Sequence, residues 1–450
     1  MKRILTAFVT VAVSYCALCA QAPRPTSHVV GKPGDLTMNV NGDAAGPVAI
    51  TGGKLLTVTH GVIENGVIVL SGGKIAAVGG PGTAIPKGAQ IVDAKGMTVY
   101  PGLVDAETNL GLIEIEADLS SNDLVETSDE IMPQMQVAEA FHAETVRIPV
   151  ARLNGVTNAI VAPASEDSVA GQDAFIQLYG HDRDQMILGR DVALAMNFSG
   201  EQRRQARRGN PPKYPSTRMG LATQLRQAFL DAQNYEQTMA HDTEKQNADK
   251  KAPPKRDLKL EALLPYLKGE KPVVLGAHEG YEVEVAMELA QEFHLKVILS
   301  HVEHSQDVLD KIASYHVPVI VGPIYTAPAP NERYDAVYSL PAQLQKRGVK
   351  IAIASYDTQN VRNLPYAAGY AVAYGLPYDE ALKAITLNPA EMFGWGDKLG
   401  SLDVGKMANV VIANGDPLDV KTDVKQVYIQ GIAVSMESRQ TKLRDAYMKK

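Results

Sequence analysis

Eight short apolar runs, each about as long as a buried strand, recur through the middle of this chain. They are Thr98–Val104, Val156–Ala162, Ala174–Leu178, Val192–Ala195, Pro272–Gly276, Lys296–Ser300, Val317–Val321 and Lys350–Ala354. Runs that are apolar on both faces suit parallel strands covered by helices. The stretches between them carry helical periods: Val285, Ala286, Leu289, Ala290 and Phe293 share one face, as do Val308, Leu309, Ile312 and Ala313. Eight strands with helical crossovers predict an α/β fold, a (β/α)8 TIM-type barrel over 98–398, although periodicity alone suits a doubly wound sheet equally well.

The flanks have a different texture. In Val62 to Leu70 an Asn65-Gly66 pair stands between apolar residues, a hairpin signal, and Gly72-Gly73 followed by Lys74 to Gly79 reads as a second turn and strand. Residues 47–97 therefore form a small β unit. Short strands return at Ala408–Ala413 and in Val424–Val434, where Gly431 marks a turn, so 399–436 reads as the second part of one β-sandwich. The barrel is then an insertion between two halves of a smaller domain. Residues 437–450 form a tail.

One stretch breaks the repeat. Residues 199–257 are long and polar, with Arg203, Arg204, Arg207, Arg208, Lys250, Lys251, Lys255 and Arg256, and hold one good helical pattern from Leu221 to Tyr235. This is an elaborated connection after the fourth strand. Its basic cluster suits either a solvated loop or a clamp for an anionic ligand.

The start of the chain reads as a secretory signal. Lys2 and Arg3 precede an apolar core from Ile4 to Ala17, and small residues follow; cleavage after Ala20 leaves 21–46 as a polar lead-in. Such a cut removes both cysteines and takes the net charge from −7 to −9. The mature chain then has no thiol for disulfide or zinc-thiolate chemistry, and its acidity argues against a nucleic-acid partner. A periplasmic or secreted location with no membrane span follows.

In such a barrel the chemistry lies at the carboxyl ends of the strands. Asp105 and Glu107 follow the first run, His278 the fifth, His301 the sixth and Asp357 the eighth. Two histidines and carboxylates at one rim suit a borderline cation such as Zn²⁺. Each residue also has a plainer reading. Glu107 suits a solvated loop, Asp357 suits the cap of the following helix, and His304 suits an exposed helix start. The acidic trio Glu114, Glu116 and Asp118 reads as wet surface.

Val99-Tyr100-Pro101-Gly102-Leu103-Val104-Asp105 resembles the first-strand signature of the metal-dependent amidohydrolases, in the branch near imidazolonepropionase and dihydroorotase. Ala381 to Ala390 resembles that family's late helix, and Leu399 to Lys406 with Ala408 to Val411 resembles its return to the β-sandwich. The resemblance implies a barrel inserted in a β-sandwich, hydrolysis of a C–N bond, and His278 and His301 as ligands on strands five and six. It also implies Asp357 as the eighth-strand carboxylate that activates water. The chain departs from the pattern at the first strand, where Glu107 and Asn109 replace a His-x-His pair of ligands. No Lys stands in Asp191 to Asn197 to bridge two metals. The expectation is one divalent ion, Zn²⁺ for preference, on His278, His301 and Glu107, with Asp357 as general base and then acid. The substrate would be a small amide or cyclic amide. The alternative is a non-catalytic barrel that binds a small molecule or partners an intact paralogue; self-association into a homo-oligomer is also compatible.

Overall fold

The computed structural model describes residues 28–29, 38–39, 46–180, 182–198, 214–249 and 255–448. The expected signal segment 1–20 and the arginine run at 203–208 lie outside these residues, as does most of the 21–46 lead-in, where His28–Val29 pairs with Met38–Asn39.

Both chain flanks build one sheet. Its order runs Ile432–Ala433, Val424–Ile429, Val410–Ala413, Thr98–Pro101, Val48–Leu56, Val62–Ser71 and Lys74–Gly79, with Gln90–Asp93 pairing beside Val48–Leu56. The Gln430-Gly431 turn has φ of 51° and 75°, as a tight two-residue hairpin requires. The Asn65-Gly66 expectation fails: Val62–Ser71 is one continuous strand. Asn65 and Gly66 sit at an irregularity opposite Gly53, and a Cβ at Gly66 would overlap Leu55. The pair is a bulge that lets a core leucine in; the hairpin turn is at Gly72-Gly73.

The central barrel uses Leu103–Thr108, Val156–Val161, Val169–Gln177, Ile187–Asn197, Val273–Gly276, Val297–Ser300, Val319–Val321 and Ile351–Ile353, adjacent in that order. Past the last strand, Tyr356 N–H donates to the Glu107 carbonyl at 3.0 Å, which draws the eighth strand to the first. The barrel expectation holds, with two corrections. The third strand runs antiparallel to both neighbours. The links on either side of it are too short for a crossover helix, so the chain turns back. The run Thr98–Val104 also divides between two sheets: Thr98–Pro101 pairs with Val410–Ala413, and the first barrel strand begins at Leu103. Both halves are buried, so apolarity could not show the change of sheet.

Gly102 is the crossing point. A Cβ there would overlap the hydroxyl and methyl of Thr157, a stiff β-branched neighbour. Gly102→Ala is expected to lower stability by about 1–3 kcal/mol. Urea unfolding checks this, as a lower midpoint at unchanged slope.

Interior-facing Val104, Ile160, Phe175, Ala193, Val274 and Ile298 share a core with Met392, Phe393 and Leu399. The helix Leu387–Met392 and its following turn thus plug one end, and Trp395 lies 5.0 Å from the Phe175 ring. Helices cover the outside, among them Gly280–Glu292, which buries Val283, Ala286, Met287, Leu289 and Ala290. Val285, expected on that face, is exposed. The expected helix Leu221–Tyr235 is part of Arg218–Asp249 and buries Leu221, Leu225, Phe229 and Ala232. Among the described residues no helix is long and apolar enough to cross a membrane.

Candidate metal centre

His278 follows the fifth barrel strand and His301 the sixth, so neighbouring parallel strands carry both imidazoles to one rim, their ring centroids 5.0 Å apart. His301 has φ of 55°, a conformation a bulky side chain rarely adopts. Two residues later Glu303 stands against His278, its Oε1 2.8 Å from the imidazole Nδ1. Glu303 Oε2 is buried with no hydrogen-bond partner. Burial opposes the charge of Glu303, but the hydrogen bond from His278 and the nearby imidazoles outweigh it and hold its pKa below the usual value. One ligand atom each from His278, His301 and Glu303 lie within 4.8 Å of one another.

These residues fit a single divalent cation. Two imidazoles and an orphaned buried carboxylate oxygen are a donor set for zinc-like ions, and a carboxylate holding the second ring nitrogen of a ligating histidine is a common supporting contact. Glu107 stands beside this trio. It lies on the first strand with Oε1 3.5 Å from His301 Nε2, while its Oε2 accepts from Ser300 Oγ at 2.6 Å. Ser300 Oγ also lies 2.8 Å from the Tyr356 hydroxyl. The Tyr356 ring stacks on His301 at 4.1 Å, and its φ is 51°. Burial, reinforced by the Glu107 charge, pushes the Tyr356 phenol well above its usual value, so it stays a neutral hydrogen-bonding group. Glu107, His301 and Tyr356 line one pocket of about 260 Å³.

Asp357 engages one of its two carboxylate oxygens. Its Oδ1 accepts from the backbone N–H groups of Gln359 and Asn360 and so caps the short helix Asn360–Asn363. It lines a neighbouring hollow with Pro323 and Asn363, on the other side of Tyr356. Asn109 spends its side-chain amide on the Ala162 carbonyl, at 2.9 Å. His304 pairs with Glu332 at 3.0 Å. Of the residues expected from the sequence, the structure gathers His278, His301 and Glu107 and sets Asp357 to one side. Sequence reasoning missed Glu303, Ser300 and Tyr356. The one signal for Glu303 was its place two residues past His301; Ser300 closed a strand run read as core, and Tyr356 stood between the eighth run and Asp357.

Two further carboxylates point into the barrel wall. Asp105 accepts from Ser355 N–H at 3.0 Å, and burial, against those hydrogen bonds, pushes its pKa up to about 7. Asp173 is fully buried with neither oxygen partnered, and burial, reinforced by Glu107, raises its pKa well above the usual value.

The fold has counterparts. The amidohydrolase family model matches residues 268–434. An amidohydrolase structure from Thermotoga maritima superposes with a TM-score of 0.79 at 28% identity, covering 86% of this chain and 99% of that one. The carboxy-terminal part of this chain matches the amidohydrolase family, and its fold is that of an amidohydrolase. Amidohydrolase tasK from Hapsidospora irregularis is 25% identical over 83% of this chain and 39% of its own length. Imidazolonepropionase from Syntrophobacter fumaroxidans is 35% identical over 17% of this chain and 19% of its own. The chain thus spans well under two thirds of the length of these curated relatives. On this fold, the chain sets two rim histidines with Glu303 beside them.

Proposed function

We propose that the protein is an exported hydrolase of a non-peptide C–N bond, in an amide or cyclic amide, working with one divalent ion, zinc for preference. The observation that carries the reading is the convergence of His278, His301 and Glu303 with an unpartnered Glu303 oxygen, beside a pocket walled by Glu107. The names of the relatives above support amide chemistry. A bound cation would lower the pKa of a water and polarise a carbonyl. Glu107 is the carboxylate placed to take a proton at Oε1, because Ser300 holds Oε2. It can return that proton to the leaving nitrogen. Tyr356 fixes Ser300 and covers the His301 ring, which limits what enters. Export rests on the sequence of residues 1–20.

Hydrolysis of a panel of amides and cyclic amides by zinc-loaded mature protein tests the reading. Glu107→Gln is expected to cut turnover by roughly 10²–10⁴-fold, the range for a lost general base. Asp357→Asn is expected to leave turnover within about twofold and to cost about 1 kcal/mol or less, as a weakened cap does. The reverse ranking would return the proton-transfer role to Asp357, and a panel with no turnover would remove the hydrolase reading. A specific observation favours a second reading, a non-catalytic member that binds a small molecule or pairs with an intact paralogue. At the two His-x-His positions, Asn109 and Glu107 are already held by Ala162 and Ser300.

A further inference from the structure

We propose that the wide cleft beside the His301 pocket binds the distal arm of the substrate, and that this arm joins an apolar segment to a positive charge. The proposal rests on reading the protein as an amide hydrolase. The cleft has a volume of about 1040 Å³, against about 260 Å³ for the pocket that holds Glu107, His301 and Tyr356. The smaller pocket takes little more than the amide itself, whereas ligand sites commonly span about 300–1000 Å³. Pro163 lines both, so the two spaces adjoin. A substrate seated at His301 therefore has room to extend in this direction.

The cleft's lining states what fits there. Leu112, Leu124, Val125, Val137 and Phe141 give it an apolar floor. Asp123, Glu126, Glu139 and Asp167 bring four carboxylates, and Arg183 is the one Lys or Arg among the described lining residues. Arg183 is already engaged: its Nη1 donates to the Glu139 carbonyl at 3.2 Å, and its Nε lies 3.9 Å from Asp184. Asp123 stands 3.1 Å from His142, and Glu139 pairs with Arg190 at 2.8 Å. Among the described lining residues, four carboxylates thus face one guanidinium. A concave acidic surface over an apolar floor selects for cations with apolar stems and against anions.

The wall is also anchored. Arg147 donates through Nη1 to the Ile113 carbonyl at 2.5 Å and to Thr358 Oγ1 at 2.9 Å, and through Nη2 to the Glu114 carbonyl at 2.8 Å. His142 N–H donates to the Gly111 carbonyl at 2.9 Å. One guanidinium thus ties the cleft-forming connection of strand one to the loop after strand eight.

The test is calorimetric binding of three probes with the same benzoyl and α-carboxamide groups to the full mature chain: N-benzoyl-L-argininamide, its neutral near-isostere N-benzoyl-L-citrullinamide, and the anionic N-benzoyl-L-glutamic acid α-amide. Each is also measured on the His278→Ala/His301→Ala variant, which separates the cleft from the metal centre. The argininamide is expected to bind about three- to tenfold tighter than the citrullinamide, as one or two partly exposed ion pairs allow. That preference should shrink to under about twofold in Asp123→Asn/Glu126→Gln and weaken with added salt. Equal or tighter binding of the citrullinamide, best binding of the anion, no binding of any probe, or a preference untouched by the double substitution would each overturn the proposal. Argininamide that binds with the expected preference but is never cleaved would leave the cleft assignment standing and count against the hydrolase reading. Cleavage of neutral amides with no charge preference would do the reverse.

Discussion

Replacing His278 and His301 together with alanine is expected to take the protein from about one divalent ion per chain to none. Each imidazole supplies one of the three donors gathered at the rim. Loss of a mere supporting contact typically costs 10–100-fold in metal affinity, so loss of two direct donors should cost more than about a hundredfold. Elemental analysis after dialysis against zinc reads the result directly. The variant also removes the N–H that Glu303 Oε1 accepts, leaving a buried carboxylate wholly unpartnered, so some loss of stability, about 1–3 kcal/mol, accompanies it. Glu303→Gln supplies the control: it keeps an oxygen for His278, keeps the fold, and should still weaken zinc binding. Zinc held at the parental level by the double variant would remove the metal centre from this rim.

The second large effect concerns Asp173. Its carboxyl is buried with no partner, so ionising it in the fold is costly, and its pKa lies well above the ordinary 3.8. Below about pH 4 the group is protonated in both folded and unfolded chains. As pH rises past that point the unfolded chain releases the proton while the folded chain keeps it. Folded protein then binds more protons than unfolded, and stability falls by about 1.4 kcal/mol per pH unit until Asp173 ionises in the fold. Asp173→Asn deletes this slope. Its denaturation midpoint should exceed the parent's by a margin that grows from pH 5 to pH 7, with the two near parity close to pH 4. A margin constant across that range would show that Asp173 is charged in the native protein.

What the sequence revealed follows from which forces leave a local trace. Burial of both strand faces does, so all eight barrel strands and the paired flanks were legible. Strand direction does not: Ala174–Leu178 is as apolar as the parallel strands of the barrel, and only the short links beside it spoke for a reversal. The end of one sheet and the start of another at Gly102 also left no mark, because both sides are buried. At the site, histidines after strands five and six stood out by type and position. Glu303 did not, since its approach to His278 depends on the left-handed turn at His301. Asp357 shows the opposite case. Its place after strand eight was legible, but the bonds that the backbone N–H groups two and three residues on make to its Oδ1 were not.

The strand Thr98–Pro101 lies between Val48–Leu56 and Val410–Ala413 in one sheet. The first of these partners leaves the ribosome before it and the second only after the entire barrel. During synthesis that strand presents a bare hydrogen-bonding edge with a buried-type sequence. The small domain is therefore the last part to finish and acts as the clasp of the whole molecule. A chain stopped short of Val410 would carry a complete set of barrel strands and an adhesive flank, and its fate should be decided by self-association rather than by the stability of the barrel.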